Sequence, residues 1–105
     1  MVHVIETMEA IPGKTEELKK ALLEIVPLSR EEKGCISYDL FQKQDNPHQF
    51  ALIMHWKDRK SYDSHNSAIF IQKFMEDFDN VLYKNCAEAL YQPLELSQKR
   101  RLGRD

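Results

Sequence analysis

Two short apolar segments near the middle of the chain constrain its fold most strongly. Residues 35–43 and 49–57 alternate as β-strands do, and the turn-forming run Asp45-Asn46-Pro47-His48 separates them. Two strands joined by so short a connection form an antiparallel hairpin. Apolar side chains occur on both faces of these strands. Both faces of the resulting sheet therefore have to be covered.

The segments on either side of the hairpin complete a simple element order. Strands are predicted at 2–10 and 86–94, and helices at 14–33 and 67–84, with a short polar helix or turn at 58–64. The order strand, helix, strand, strand, helix, strand predicts an α+β, ferredoxin-like βαββαβ domain with a four-stranded antiparallel sheet. Both long helices cover one face of that sheet. A second copy of the chain is the simplest cover for the other face, which predicts a homodimer.

Local signals place several helix ends. Thr15 is the expected N-cap of the first helix, and Pro27 is expected to kink it because proline lacks a backbone N–H. Asp58 is the expected cap of the short polar segment, and Asn66 or Ser67 that of the second long helix.

Length and charge exclude several classes of protein. A chain of 105 residues predicts one domain, and a net charge of −2 gives no electrostatic reason to expect nucleic acid as partner. No apolar run approaches the ~18 residues of a membrane span, and the first residues do not resemble a signal peptide, so a cytoplasmic protein is expected. We assign residues 1–94 to the domain and 95–105 to a charged, solvated tail.

The two cysteines are predicted to be free thiols. Cys35 falls in the second predicted strand and Cys86 in the fourth, which form the two edges of a ferredoxin-like sheet. A disulfide requires Cα atoms within about 7 Å, so the two cannot bridge within one chain. Neither cysteine has the clustered Cys and His neighbours of a zinc site, and no metal or nucleotide motif is found.

One histidine and a group of aromatic residues are the candidate site. His65 is predicted at the entrance of the second long helix, and an imidazole there could take a proton near neutral pH. A structural histidine at the helix start is the alternative interpretation. The candidate substrate-binding residues are aromatic: Tyr38, Phe50, Trp56, Phe70 and Phe74. Aromatic residues at such spacing more often form a core, but the space between sheet and helices could also hold a small ligand.

Four motifs occur in order along the chain: Pro12-Gly13-Lys14, Glu32-Lys33-Gly34-Cys35, Trp56-Lys57-Asp58, and the set His65, Ser67 and Phe70. Together they resemble the antibiotic biosynthesis monooxygenase family, which includes quinol monooxygenases, and the resemblance extends from residue 1 to about 94. It implies a dimeric α+β barrel and a cofactor-independent oxygenase that oxidises a small aromatic quinol or polyphenol with molecular oxygen. It also implies His65 as the proton acceptor, with no flavin, haem or metal.

The chain departs from the family pattern at informative positions. Met54 stands where relatives often carry a glutamate on the third strand. Thr7, His65 and Phe74 stand where the haem-degrading branch has asparagine, tryptophan and histidine, so haem is not the expected substrate. The alternative function is a dimeric module of this fold that binds or modifies a small aromatic or signal metabolite without oxygenase chemistry.

Overall fold

The computed structural model describes residues 1–94, and the predicted tail at 95–105 lies outside the described residues. No helix in the described part is long and apolar enough to cross a membrane. The chain forms the following elements: β1 (Val2–Ala10), α1 (Thr15–Arg30), β2 (Cys35–Gln42), β3 (Gln49–Trp56), α2 (Arg59–Ser67), α3 (Ile69–Phe78) and β4 (Tyr83–Tyr91).

The four strands form one antiparallel sheet in the order β2-β3-β1-β4. β1 pairs with β3 from Val2 opposite Trp56 to Glu9 opposite Gln49. This arrangement confirms the predicted ferredoxin-like α+β fold. Because β2 and β4 are the two edges, Cys35 and Cys86 lie at opposite sides of the sheet, and both are free thiols as predicted.

One face of the sheet packs against the helices and forms the core. Alternate side chains of β1 and β3 point to this face, as the period of two requires. Those that are at most 4% exposed are Val4, Met8, Ala10, Phe50, Leu52, Met54 and Trp56. From the helical side, α1 buries Leu18 and Leu22 completely. Each such side chain contributes roughly 1.5–3 kcal/mol by leaving water, so this layer holds the helices on the sheet.

The short polar segment predicted at 58–64 forms α2, which extends to Ser67, whereas the second long helix predicted at 67–84 is shorter in the structure. It is α3, Ile69–Phe78, and β4 already begins at Tyr83. Ala68 lies between α2 and α3 with extended backbone angles (φ −63°, ψ 142°), and it is the N-cap of α3 in place of Asn66 or Ser67. In one unbroken helix Ile71 would lie about 240° around the axis from His65, so the two could not face the sheet together. The break at Ala68 changes the helical phase and buries both. His65 therefore lies in the last turn of α2 and not at a helix entrance.

Other boundaries differ from the prediction at specific contacts. Lys14 and not Thr15 is the N-cap of α1, and the Thr15 hydroxyl lies 2.6 Å from Nδ1 of His48. The last strand begins at Tyr83, three residues earlier than predicted, because Tyr83 pairs with Ala10 and is buried. The predicted Asp58 cap is confirmed.

The other face of the sheet, which we call the open face, is covered by none of the described helices. Its side chains form cross-strand rows, and the central row runs from Asp39 through Ile53 and Ile5 to Ala89. Ile53 is 42% exposed and Phe41 is 51% exposed on this face. The His3 and His55 rings also stack here, with centroids 3.9 Å apart. The sheet is therefore apolar on both faces, as the sequence pattern predicts.

Candidate functional site

A cavity of about 440 Å³ lies between the sheet and the helices, and we call it the inner cavity. All four strands and all three helices contribute to its wall. Its apolar side chains include Met8, Ile25, Leu52, Ile71 and Phe74. Its polar side chains include Glu6, Tyr38, His65, Asn66, Cys86 and Glu88. This combination of an apolar wall and a few converging polar groups is typical of a small-molecule site.

A second cavity of about 290 Å³ lies near one end of the sheet and is lined partly by Thr7, Phe41 and Phe50. It contains no histidine, cysteine or tyrosine. Of these two cavities, the inner one therefore holds the imidazole, thiol and phenol groups, and we take it as the candidate active site.

His65 and Glu32 form a buried pair at the wall of the inner cavity. Nδ1 of His65 lies 2.5 Å from Oε1 of Glu32, and the two side chains are 3% and 20% exposed. With Glu32 ionised, Nδ1–H donates to the carboxylate and Nε2 is left as a proton acceptor. A carboxylate that orients an imidazole in this way fixes its tautomer, as in several classes of acid–base enzyme.

Local backbone geometry brings the two side chains together. Asp58 begins α2 by accepting hydrogen bonds from the Ser61 N–H (2.8 Å) and hydroxyl (2.7 Å), which lower the pKa of the Asp58 carboxyl. Gly34 has φ +88°, and a Cβ there would lie 2.1 Å from the Ser61 hydroxyl oxygen. Only glycine allows both this backbone angle and this close approach. The turn that carries Glu32 can therefore pack directly against α2, which carries His65.

Aromatic rings surround the imidazole. The Trp56 ring lies 4.6 Å from the His65 ring between centroids, and the rings of Tyr38 and Phe70 lie at 5.4 Å and 6.3 Å. Burial raises the pKa of the Tyr38 hydroxyl well above its ordinary value, so it stays protonated and can donate a hydrogen bond. The imidazole thus faces an apolar environment with one neutral hydroxyl near it.

Carboxyl groups occupy another part of the wall. Glu6 on β1 lies directly opposite Glu88 on β4, and the Cys86 thiol donates to Oε2 of Glu6 at 3.2 Å. Burial raises the pKa of Glu6; the Cys86 hydrogen bond lowers it, and the nearby Glu88 raises it. Two causes raise the pKa of Cys86 to about 12: its sulfur is desolvated, and the Glu6 carboxylate lies next to it. The residue as a whole is nevertheless exposed. Cys86 is therefore a neutral thiol and not a nucleophile at neutral pH.

The raised pKa of Glu6 predicts a pH-dependent cost to folding. A carboxyl whose pKa is higher in the folded than in the unfolded state supports folding while protonated, and this contribution is lost as pH rises through the folded-state value. We expect Glu6→Gln to gain thermal stability relative to the parent as pH rises from 4 to 8. Parallel melting curves of Glu9→Gln, on the other face of β1, are the control. A parent and a Glu6→Gln variant with parallel pH profiles would contradict the assignment.

Comparison with known proteins gives the family. The model of the family described as antibiotic biosynthesis monooxygenase matches residues 1–77. The chain belongs to the antibiotic biosynthesis monooxygenase family. The matched segment runs from β1 through most of α3 and includes both members of the His65–Glu32 pair.

Relatives of this monooxygenase-family chain come from several bacteria. It is 34% identical over 64 residues to a Bacillus subtilis protein named "Putative monooxygenase YcnE", covering 61% of this chain and 67% of that protein. It is 27% identical over 94 residues to the uncharacterised Synechocystis protein sll1783. That match covers 90% of this chain, and this chain spans 64% of the length of that protein. The crystal structure of PA3566 from Pseudomonas aeruginosa superposes with a TM-score of 0.85 at 30% identity, covering 90% of this chain and 94% of that one.

The structure brings some of the predicted site residues of this family member together and separates others. Tyr38, His65 and Phe74 line the inner cavity. Trp56 packs against the His65 ring, and Phe70 also lies beside the His65 ring. Phe70 and Phe74 both line a separate groove formed by α1 and α3. Phe50 is buried next to the smaller cavity and does not line the inner one.

Sequence reasoning missed the acidic residues of the site. Glu32 belongs to a motif that supports the family resemblance, but its contact with His65 crosses 33 positions and depends on the turn at Gly34. Glu6 and Glu88 meet only through the pairing of the first and last strands. A charged residue inside an apolar strand, such as Glu6, was the available signal. Among residues 1–94 no three His, Cys, Asp or Glu side chains converge as a metal site would require.

Proposed function

We propose that this protein is a cofactor-independent monooxygenase that oxidises a small aromatic quinol or polyphenol with molecular oxygen. The observation that carries the proposal is the buried His65–Glu32 pair at the wall of an aromatic cavity of substrate size. Membership of the antibiotic biosynthesis monooxygenase family supports the reaction class.

The proposed reaction begins with proton transfer. Nε2 of His65 accepts the proton of a substrate hydroxyl, and the Glu32 carboxylate stabilises the imidazolium that forms. The resulting quinolate anion is electron-rich enough to pass one electron to oxygen. Recombination forms a carbon–oxygen bond, and cleavage of the oxygen–oxygen bond leaves one oxygen atom in a hydroxylated quinone. The other oxygen leaves as water, so one quinol and one O₂ give one hydroxyquinone and one water.

The environment of the imidazole supports this chemistry. Trp56, Tyr38 and Phe70 surround His65 and exclude water from the anion. The neutral Tyr38 hydroxyl is available to donate a hydrogen bond to the oxygen that loses its proton. Such a donor stabilises negative charge as it develops, which raises the rate of the proton-transfer step.

We also propose that the active form is a homodimer in which two open faces pack together. Support comes from the exposed apolar side chains of each open face, Ile53 on an inner strand and Phe41 on the edge strand β2. An obligate interface of this kind buries more than about 2,000 Å², which a four-stranded sheet face and its flanking edges can supply.

Oxygen consumption tests the proposed activity. Purified protein with a reduced naphthoquinone and no added cofactor should consume one O₂ per quinol, faster than the uncatalysed oxidation at the same pH. Heat-denatured protein provides the control for autoxidation. If the folded protein binds the naphthoquinol without accelerating oxygen uptake, the alternative of a non-oxygenase binding module replaces the proposal.

A further inference from the structure

Glu6 is a titratable residue of the inner cavity that the proposed proton transfer does not use. It lies on β1 opposite Leu52 of β3, and its side chain lines the cavity together with those of Tyr38 and His65. Tyr38 pairs with Met54, two residues along β3 from Leu52, so Tyr38 and Glu6 point to the same face of the sheet from adjacent cross-strand rows. Glu6 and His65 therefore open onto one cavity from different elements, β1 and α2.

The surroundings of the Glu6 carboxyl suit it to hold a proton. Its Oε2 accepts a hydrogen bond from the Cys86 thiol at 3.2 Å, and its Oε1 has no hydrogen-bond partner among residues 1–94. Within the same residues Glu6 forms no salt bridge, and no lysine or arginine lines the inner cavity. Burial raises the pKa of this carboxyl, which favours the neutral acid. A protonated carboxyl has one O–H to donate, and Oε1 is the oxygen free to carry it.

The other polar groups of the wall are less suited to donate a proton. Burial raises the pKa of the Tyr38 hydroxyl, and desolvation raises that of the Cys86 thiol to about 12, so both hold their protons firmly near neutral pH. Glu88 is exposed and lies within electrostatic reach of Arg59, so it lacks the burial that favours the acid form of Glu6.

The last step of the proposed reaction needs a base and an acid at the same time. Oxygen addition and return of the proton from His65 give a ring hydroperoxide whose carbon still carries a hydrogen. A base then removes this C–H proton, the electron pair of the C–H bond forms C=O, the O–O bond breaks, and the departing oxygen takes a proton. The neutral imidazole of His65 is the base, and it cannot donate a proton in the step in which it accepts one.

We propose that Glu6 is the general acid that protonates the departing oxygen of the hydroperoxide, which leaves as water while His65 takes the C–H proton. The inference rests on the proposed function for the origin of the hydroperoxide. The step leaves a Glu6 carboxylate and a His65 imidazolium, and one proton passed between them through the released water restores both. Two titratable groups whose environments favour opposite protonation states are typical of acid–base catalysis.

Glu6→Gln should separate oxygen uptake from hydroxyquinone formation. A glutamine amide is not an acid, so the hydroperoxide should instead lose hydrogen peroxide and leave the unhydroxylated quinone. We expect hydroxyquinone formation to fall by about 10²-fold while oxygen uptake continues and hydrogen peroxide replaces water. Chromatography of the quinones and a peroxidase assay measure the products, after subtraction of the autoxidation seen with heat-denatured protein.

Matched variants assign this effect to the acid. Glu6→Asp keeps a carboxyl group and should recover part of the hydroxyquinone yield, and Glu76→Gln, on the exposed surface of α3, should match the parent. Melting curves check that each variant is folded. A ratio of hydroxyquinone to consumed O₂ that is equal in the parent and in Glu6→Gln overturns the proposal.

Added 1-phenylethyl hydroperoxide isolates the step from oxygen activation. Its dehydration to acetophenone and water needs the same base and acid but neither quinol nor O₂. The parent should accelerate this reaction under argon, and Glu6→Gln and His65→Ala should each slow it by about 10²-fold.

The two substrates separate the two proposals. The product ratio with quinol decides the role of Glu6 where quinol is oxidised, and the hydroperoxide probe decides it where quinol is not oxidised. If the parent oxidises no quinol but dehydrates the probe in a Glu6-dependent way, only the oxygenase activity fails. If quinol is hydroxylated equally by the parent and Glu6→Gln, only the acid role of Glu6 fails. If the parent neither oxidises quinol nor dehydrates the probe faster than Glu6→Gln does, both proposals are wrong.

Discussion

Replacing His65 with alanine is expected to lower quinol turnover by about 10²-fold or more, the usual scale for the loss of a general base. Within residues 1–94, the imidazole alone at the cavity wall combines burial, a carboxylate partner at 2.5 Å and a second ring nitrogen that has no hydrogen-bond partner there. Only the neutral imidazole accepts a proton, so the rate of the parent should fall when acid protonates it. Initial rates of oxygen uptake as a function of pH measure this dependence, and rates at one pH compare the variants.

Controls separate the chemistry of His65 from its role in packing. His48→Ala removes an exposed histidine outside the cavity and should retain the parent rate. His65→Asn keeps a polar side chain at the site if alanine destabilises the fold, and circular dichroism checks both variants. Added imidazole should restore part of the activity of His65→Ala. Parent-like turnover in a folded His65→Ala variant would mean that the imidazole only packs against Trp56.

Glu32 is expected to act as a positioning residue. It contacts His65 but does not line the inner cavity, so Glu32→Gln should lower kcat more than it changes KM. A glutamine amide can also donate to Nδ1 and leave the proton on Nε2, which is the wrong tautomer for a base. The Gly34 turn explains why such a pair arises from residues so far apart in the chain.

The strands could be predicted closely from sequence, and the helices only in part. Alternation of apolar residues fixed β1 at residues 2–10 and gave β2 and β3 to within one residue, because period two is a strong local signal. Two helical segments were predicted here, at 58–64 and from 67, but the boundary could not be placed at Ala68, because one residue with extended angles leaves no compositional mark. Its cause is tertiary: His65 and Ile71 both have to reach the sheet.

The site itself was predictable by residue type more than by position. His65, Tyr38 and Phe74 do line the inner cavity. In a two-layer fold, side chains on the helix-facing side of the sheet point into the space between sheet and helices, where a small-molecule cavity also forms. Alternation assigns Phe50 to the correct face but not to a position along the cavity. The Glu6–Glu88 pair depends on strand register between chain ends, and no local pattern encodes that register.

Ile53→Lys is expected to raise the dimer dissociation constant by about 10²-fold or more, because it places a charge at the centre of the open face. Ile53 lies between Asp39 and Ile5 in the middle cross-strand row, and in a face-to-face dimer this row is fully desolvated. Asp39 already pairs with Arg30 at 3.0 Å, so the new lysine would lack a carboxylate of its own. Charges without a partner in such a core cost several kcal/mol, whereas truncations at an interface rim cost little. Sedimentation velocity over a range of protein concentrations gives the dissociation constant directly.

A matched substitution distinguishes the interface from general surface effects. Leu23 is 54% exposed on α1, away from the open face, so Leu23→Lys makes the same apolar-to-charged change without entering the proposed interface. It should leave the dimer intact. If the parent sediments as a monomer at micromolar concentration, the proposed dimer is wrong. If Ile53→Lys and Leu23→Lys have equal dimer dissociation constants, the interface does not lie on the open face. Retention of the Ile53→Lys fold as a monomer would then show that the helix-facing core alone is sufficient for folding.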